Sequence, residues 1–103
     1  MKPYRFHPEA RLEYIEALLH VEEEREGYGA KFEAEVDAAL RRVAEFPRSA
    51  PRLPGFPKDV EARAFLLGVF RYSLLVVLGG DGPVIYAVAH QHRRPGYWKS
   101  RLK

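Results

Sequence analysis

Fifteen residues near the C-terminus, Ala87 to Arg101 (AVAHQHRRPGYWKSR), gather His90, His92, Arg93, Arg94, Tyr97, Trp98, Lys99 and Arg101. A guanidinium grips phosphate or carboxylate through parallel N–H donors, and an aromatic ring stacks on a base or fills an apolar pocket. The set therefore suits either RNA or a protein anchor. Arg63 and Arg71, on the preceding segments, add two cations. Trp98 has two readings open, an anchor on the surface or a large ring folded back onto the core.

Other chemistries are disfavoured by residue type. His90 and His92 stand at i and i+2, which puts both on one face of a strand, yet no Asp or Glu accompanies them to complete a metal site. Neither a metal nor a cofactor is expected. His90 follows the apolar run Ala87-Val88-Ala89 and is expected to be a satisfied structural histidine, with His92 exposed among arginines. Ser49, Ser73 and Ser100 lie outside any motif that would activate a hydroxyl. Gly79-Gly80-Asp81-Gly82 reads as a hairpin turn and not a phosphate loop, because no helix follows it.

The scaffold that positions this cluster is small. A chain of 103 residues is expected to fold as one domain over 1–103 with a single core. Hydrophobic residues at 47% and charged residues at 30% argue against disorder, and the absence of cysteine excludes a disulfide framework or a thiolate metal site. No apolar run approaches the roughly 20 residues of a membrane span, and MKPYRFHPEAR lacks the apolar stretch of a signal peptide. A cytoplasmic protein without a membrane partner is expected. Residues 1–46 carry 7 Lys and Arg against 11 Asp and Glu, while residues 47–103 carry 10 against 3. The halves differ in sign, −4 against +7, and the basic half could serve nucleic acid, ribosome or an acidic protein.

Tyr4 to Phe6 reads as an edge strand stopped at His7-Pro8, and proline at the first helical position starts a helix expected to run to about Glu26. Its apolar stripe is assigned to Leu12, Ile15, Leu18 and Leu19, with Glu9, Glu13, Glu16, Glu23 and Glu24 on the surface. After Gly27-Tyr28-Gly29 a second helix carries Phe32, Val36, Ala39, Leu40 and Val43 on one stripe and ends at Phe46-Pro47. So short a connection makes an antiparallel helical hairpin. PRSAPRLPGFPK is too rich in proline for helix or central strand and reads as an extended connector. Val60–Leu67, Val69–Leu78 and Val84 to about His92 then read as three antiparallel strands, joined at Gly68 and at the glycine-rich turn. The result is an α+β fold, β-α-α-β-β-β, with two helices on one face of an antiparallel sheet. The tail from Tyr97 to Lys103 fits either a short helical turn or an extended run across the sheet.

The order of elements, the FHPEA helix start, YGAKFEAEVDAAL before Phe46-Pro47, Phe70-Arg71-Tyr72 and above all AVAHQHRRPGYWKSR resemble the RelE/ParE superfamily of type II toxins across nearly the whole chain. The resemblance implies a small bacterial toxin neutralised by a cognate antitoxin. Ribonuclease-type members cut mRNA on the ribosome, and there Arg63, Arg71, Arg93 and Tyr97 would be the working residues. ParE-type members bind DNA gyrase and are not enzymes; Arg71, His90, Arg93, Tyr97, Trp98 and Arg101 would then face the target or the antitoxin. Ser73 follows Tyr72 where the ribonuclease branch has an arginine. Ala64, Leu66 and Leu67 stand where it has lysines, and Gln91 where it has a further arginine. Fewer cations mean less stabilisation of charge on a cleaved phosphate. Together with the His90-x-x-Arg93 pattern, this brings the chain closer to the ParE-like branch.

Overall fold

His7 is extended, and its Nδ1 accepts the Glu9 N–H at 3.1 Å, so the helix start is capped just ahead of Pro8. The computed structural model describes residues 3–102, and these run β1 (Arg5–Phe6), α1 (Pro8–Glu24), α2 (Tyr28–Glu45), β2 (Glu61–Leu66), β3 (Tyr72–Gly79) and β4 (Gly82–His90). A 3-10 turn at Lys99–Leu102 closes the chain; the last residue of the expected tail, Lys103, lies outside the described residues. The order is the expected β-α-α-β-β-β. α1 stops at Glu24, short of Glu26, because Glu22 turns back to accept the N–H groups of Gly27 (3.1 Å) and Gly29 (2.8 Å). Those bonds hold the Glu22 carboxyl below its usual range. An added Cβ at 29 would meet Glu22 Oε1 at 2.8 Å, so a larger residue there would displace the carboxylate from these bonds.

α2 buries the expected stripe of Phe32, Val36, Ala39, Leu40 and Val43. α1 does not. It buries Ala10, Ala17 and Val21, with Tyr14 and Leu18 packed at the side, and leaves Leu12, Ile15 and Leu19 exposed at 59%, 46% and 59%. Two helical periodicities coexist on α1. The small residues face inward because they let the helix lie close against β4, while the larger aliphatics point away.

The sheet order is β1-β4-β3-β2. β3 is antiparallel to both neighbours, but β1 runs parallel to β4 through Arg5 opposite Val84 and Phe6 opposite Ile85, so the sheet is mixed. The helical hairpin supplies the long crossover that parallel pairing needs. β3 begins at Tyr72 and not at Val69, since Leu67–Arg71 form a longer turn in which Arg71 is left-handed (φ 54°). β4 ends at His90, where a turn takes over. Leu75 pairs with Ala87 and Val76 with Ile85, leaving Tyr86 as a bulge. The extra residue shifts the phase. Ile85 and Val88 face the helices, while Tyr86 and Ala87 both face the other side.

That other side is covered by chain with little regular structure. Leu53 and Phe56 of the proline connector, together with Tyr97, Trp98 and Leu102 of the tail, pack over Ala62, Leu75, Val77, Tyr86 and Ala87. The connector also runs beside β2, with Leu53 N–H bonded to Ala62 C=O (2.8 Å) and Ala64 N–H to Pro51 C=O (3.2 Å). Trp98 lies at the centre of this layer at 1% exposure, between Phe56 and Tyr86. Trp98→Ala is therefore expected to lower unfolding free energy by about 3–5 kcal/mol in urea denaturation. Leu19→Ala, on the outward face of α1, is expected to change it by no more than about 0.5 kcal/mol.

Candidate functional site

Where the connector and the tail diverge, the sheet's second face opens into a groove of about 350 Å³. Its floor is small: Ala64, Ser73, Leu75 and Ala89 from the three long strands. Leu53, Phe56 and Trp98 wall it, and Arg93, Arg94 and Lys99 stand at the rim. Small floor residues let a partner's side chain reach the sheet, and an apolar wall beneath a cationic rim suits an apolar or aromatic anchor flanked by acidic groups.

One wall is held in place by a charged network. Among the described residues the edge of β4 beyond Phe6 has no strand beside it, and two side chains take the place of one. Glu13 Oε1 accepts the Val88 N–H at 3.0 Å, and Arg101 donates to Tyr86 C=O at 2.9 Å. Glu13 and Arg101 pair with each other through two bonds of 2.9 Å, and the Tyr97 hydroxyl donates to Glu13 Oε2 at 2.8 Å. Both charged side chains are nearly buried, at 15% and 11% exposure. Burial alone would raise the Glu13 carboxyl, but the bonds from Arg101, Tyr97 and the Val88 N–H outweigh it and hold it below its usual range. Burial, reinforced by the bond to Glu13, pushes the Tyr97 phenol far above its ordinary value. Tyr97 is thus a neutral donor whose proton is committed. Arg93 lies over one part of its environment as a cation against the ring, 3.9 Å from the centroid, and Arg101 approaches the same ring at 5.2 Å.

The residues singled out from the sequence separate into distinct places. His90, Arg93 and Tyr97 meet at the groove. Trp98 belongs to the second core layer and not to the surface, and Arg101 is consumed by Glu13. His90 is half-buried, edge-on to Tyr72, stacked on His92 at 5.1 Å, and its Nδ1 accepts the His92 N–H at 3.1 Å. Among the described residues no group of three His, Cys, Asp or Glu is placed to share a metal. Arg71 is exposed at the end of the sheet, but on the helix side, bordering a hollow with His20 and Glu24. Arg63 sits at the β2 edge, donating to Ala50 C=O (2.8 Å) and paired with Glu61 (2.9 Å). Of Arg63, Arg71, Arg93 and Tyr97, only the last two come together.

Glu13, expected on the solvated acidic surface, is instead the hub of this network. Its position carried a signal: three residues after Ala10 and four before Ala17, it borders the small-residue stripe that packs. Phe56 and Leu53 gave none, because a proline-rich connector has no periodicity to mark an inward side. No family model and no curated protein matches the chain.

Replacing Glu13 strands a buried guanidinium, so Glu13→Gln is expected to destabilise the protein by about 2 kcal/mol or more at neutral pH. Because the folded state lowers the pKa of Glu13, its contribution is present above the ordinary carboxylate range. It is lost as pH falls through the lower folded value. Urea titrations of wild type and Glu13→Gln should therefore converge on acidification and stay apart from neutral to mildly alkaline pH.

Proposed function

We propose that the chain is a ParE-like toxin of a type II toxin–antitoxin pair, which acts in the cytoplasm by gripping an essential target, DNA gyrase, and is neutralised by a cognate antitoxin. The resemblance carried by AVAHQHRRPGYWKSR supports the superfamily, and the arrangement around Tyr97 supports the branch. A ribonuclease site needs cations converging on the scissile phosphate and a group free to move a proton. Here the Tyr97 proton is bound to Glu13, Arg63 is bound to the connector, and Arg71 lies on the other side of the sheet end. The groove floor is alanine, leucine and serine. What the groove does offer, Arg93 and Arg94 above an apolar slot, is the equipment of a binding surface.

The position of Arg93 over Tyr97 is the one feature that favours the other reading, a ribosome-dependent mRNA endoribonuclease. Short induction in growing bacteria with sequencing of RNA 5′ ends separates the two. The expected outcome is growth arrest with intact messages and a DNA-damage response, relieved by Arg93→Glu with Arg94→Glu; purified gyrase would then be inhibited by wild type and about tenfold less by that variant. Codon-positioned cleavage ends in translated messages would establish the ribonuclease instead. Arg101 is unsuited to this test, because its reversal would break the Glu13 pair and the fold with it.

A further inference from the structure

The exposed face of α1 is patterned. Leu12, Ile15 and Leu19 repeat at three and four residues, the a-d-a spacing of a heptad seam, and all three point into solvent. Glu9, Glu16 and Glu23 repeat at seven residues along one flank of that seam, the e positions of the same heptad. Glu16 and Glu23 are exposed and make no ion pair or hydrogen bond among the described residues. Glu9 has only a long contact to Arg101 at 3.7 Å. Helix stability does not require this arrangement, since the packing side of α1 is the separate stripe of Ala10, Ala17 and Val21.

We infer that this outer face of α1 is a docking seam for an amphipathic helix of another protein, carrying leucine-like residues along its own seam and lysine or arginine beside them. Exposed aliphatics spaced over about 10 Å of helix supply the apolar contact. The charges choose the occupant. In short helical pairs the flanking positions set which partner is accepted, and a rail of glutamates accepts a basic rail and rejects an acidic one. A second copy of this chain fits poorly. Antiparallel pairing of two α1 helices sets the glutamates against each other. Parallel pairing would need Arg11 as counter-charge, and Arg11 lies over the Phe6 ring at 5.2 Å. The seam belongs to the helical layer, while the groove lies on the sheet's opposite face, so this inference stands apart from the toxin reading.

The test uses the full chain and two synthetic three-heptad helices with leucine at the seam, one flanked by lysine and one by glutamate, titrated by calorimetry. The lysine peptide should bind and the glutamate peptide should not. Leu12→Ser, Ile15→Ser and Leu19→Ser together should weaken binding by about tenfold or more while leaving the far-UV circular dichroism spectrum of the folded chain unchanged. Glu16→Lys with Glu23→Lys should reverse the preference, so that the glutamate peptide binds and the lysine peptide is refused. Equal binding of both peptides, no binding of either, or full binding by the triple serine variant would overturn the inference. So would a dimer in sedimentation that the serine variant dissolves, since a second copy would then own the seam.

Discussion

A two-residue β1 cannot satisfy a nine-residue β4, and the rest of the structure depends on how that deficit is met. The bond from Gln91 N–H to Arg71 C=O sets the phase of the β3–β4 ladder, so Val88 and His90 turn their backbone groups to the opposite edge. His7 N–H reaches Ile85 C=O, and beyond it Arg101 takes Tyr86 C=O and Glu13 takes Val88 N–H. Removing two charges from water is expensive, and such a pair is weak as a source of net stability. Its value lies in placement. Glu13, on α1, accepts four hydrogen bonds from β4 and the tail, so these three elements have one mutual arrangement in which the Glu13 and Arg101 charges are both met.

Fixing Arg101 fixes what precedes it. Tyr97 and Trp98 lie within a turn of Arg101, and with the guanidinium tied to α1 their rings are brought down onto the bulged part of β4, against Tyr86 and Ala87. Phe56 then closes on Trp98 at 5.3 Å, and Lys99 bonds Gly55 C=O at 3.1 Å, joining the tail to the connector. A chain of this size has few residues to spare for covering both faces of a sheet, and here the second face is covered by loops. The groove is the space that coverage leaves at the end of the sheet. Its floor is accessible because Ala64, Ser73 and Ala89 are small, and its rim is cationic because the turn after β4 is His92-Arg93-Arg94.

The periodic parts of this fold were legible and the aperiodic parts were not. Phe32, Val36, Ala39, Leu40 and Val43 admit one helical stripe, and the strands around Leu74 and Ile85 are apolar beyond any competing reading, so α2, the sheet and the element order follow from pattern. On α1 pattern was ambiguous, because two stripes share one helix and size, not hydrophobicity, decides which packs. Hydrophobicity favours Leu12, Ile15 and Leu19; close approach to a strand favours Ala10 and Ala17. The groove could not be read at all, since it forms between Phe56 and Trp98, more than forty residues apart, and depends on an ion pair spanning from residue 13 to residue 101. The cluster of cations was legible as a cluster. Its division into Arg101 inside, Arg93 and Arg94 at the rim, and Arg63 at an edge was not, because only tertiary partners distinguish one arginine from another.

That division also corrects what the charge asymmetry means. The +7 of residues 47–103 is a formal sum, and much of it never reaches a partner. Arg48 and Arg63 share Glu61, whose carboxyl they hold low, and Arg101 is neutralised by Glu13 from the acidic half. Arg71, Arg93 and Arg94 make neither an ion pair nor a side-chain hydrogen bond among the described residues; Arg93 and Arg94 stand at the groove, and Arg71 stands on the helix side of the sheet end. On the acidic side Glu13 and Glu22 are spent on backbone N–H groups and an arginine, while Glu16 and Glu23 are among the acids that make no ion pair among the described residues. Arg93 and Arg94 beside the groove, and Glu16 and Glu23 on the outer face of α1, thus stand on opposite layers of the fold. Both lie beside apolar surface, the setting in which a charge contributes selectivity as well as solubility.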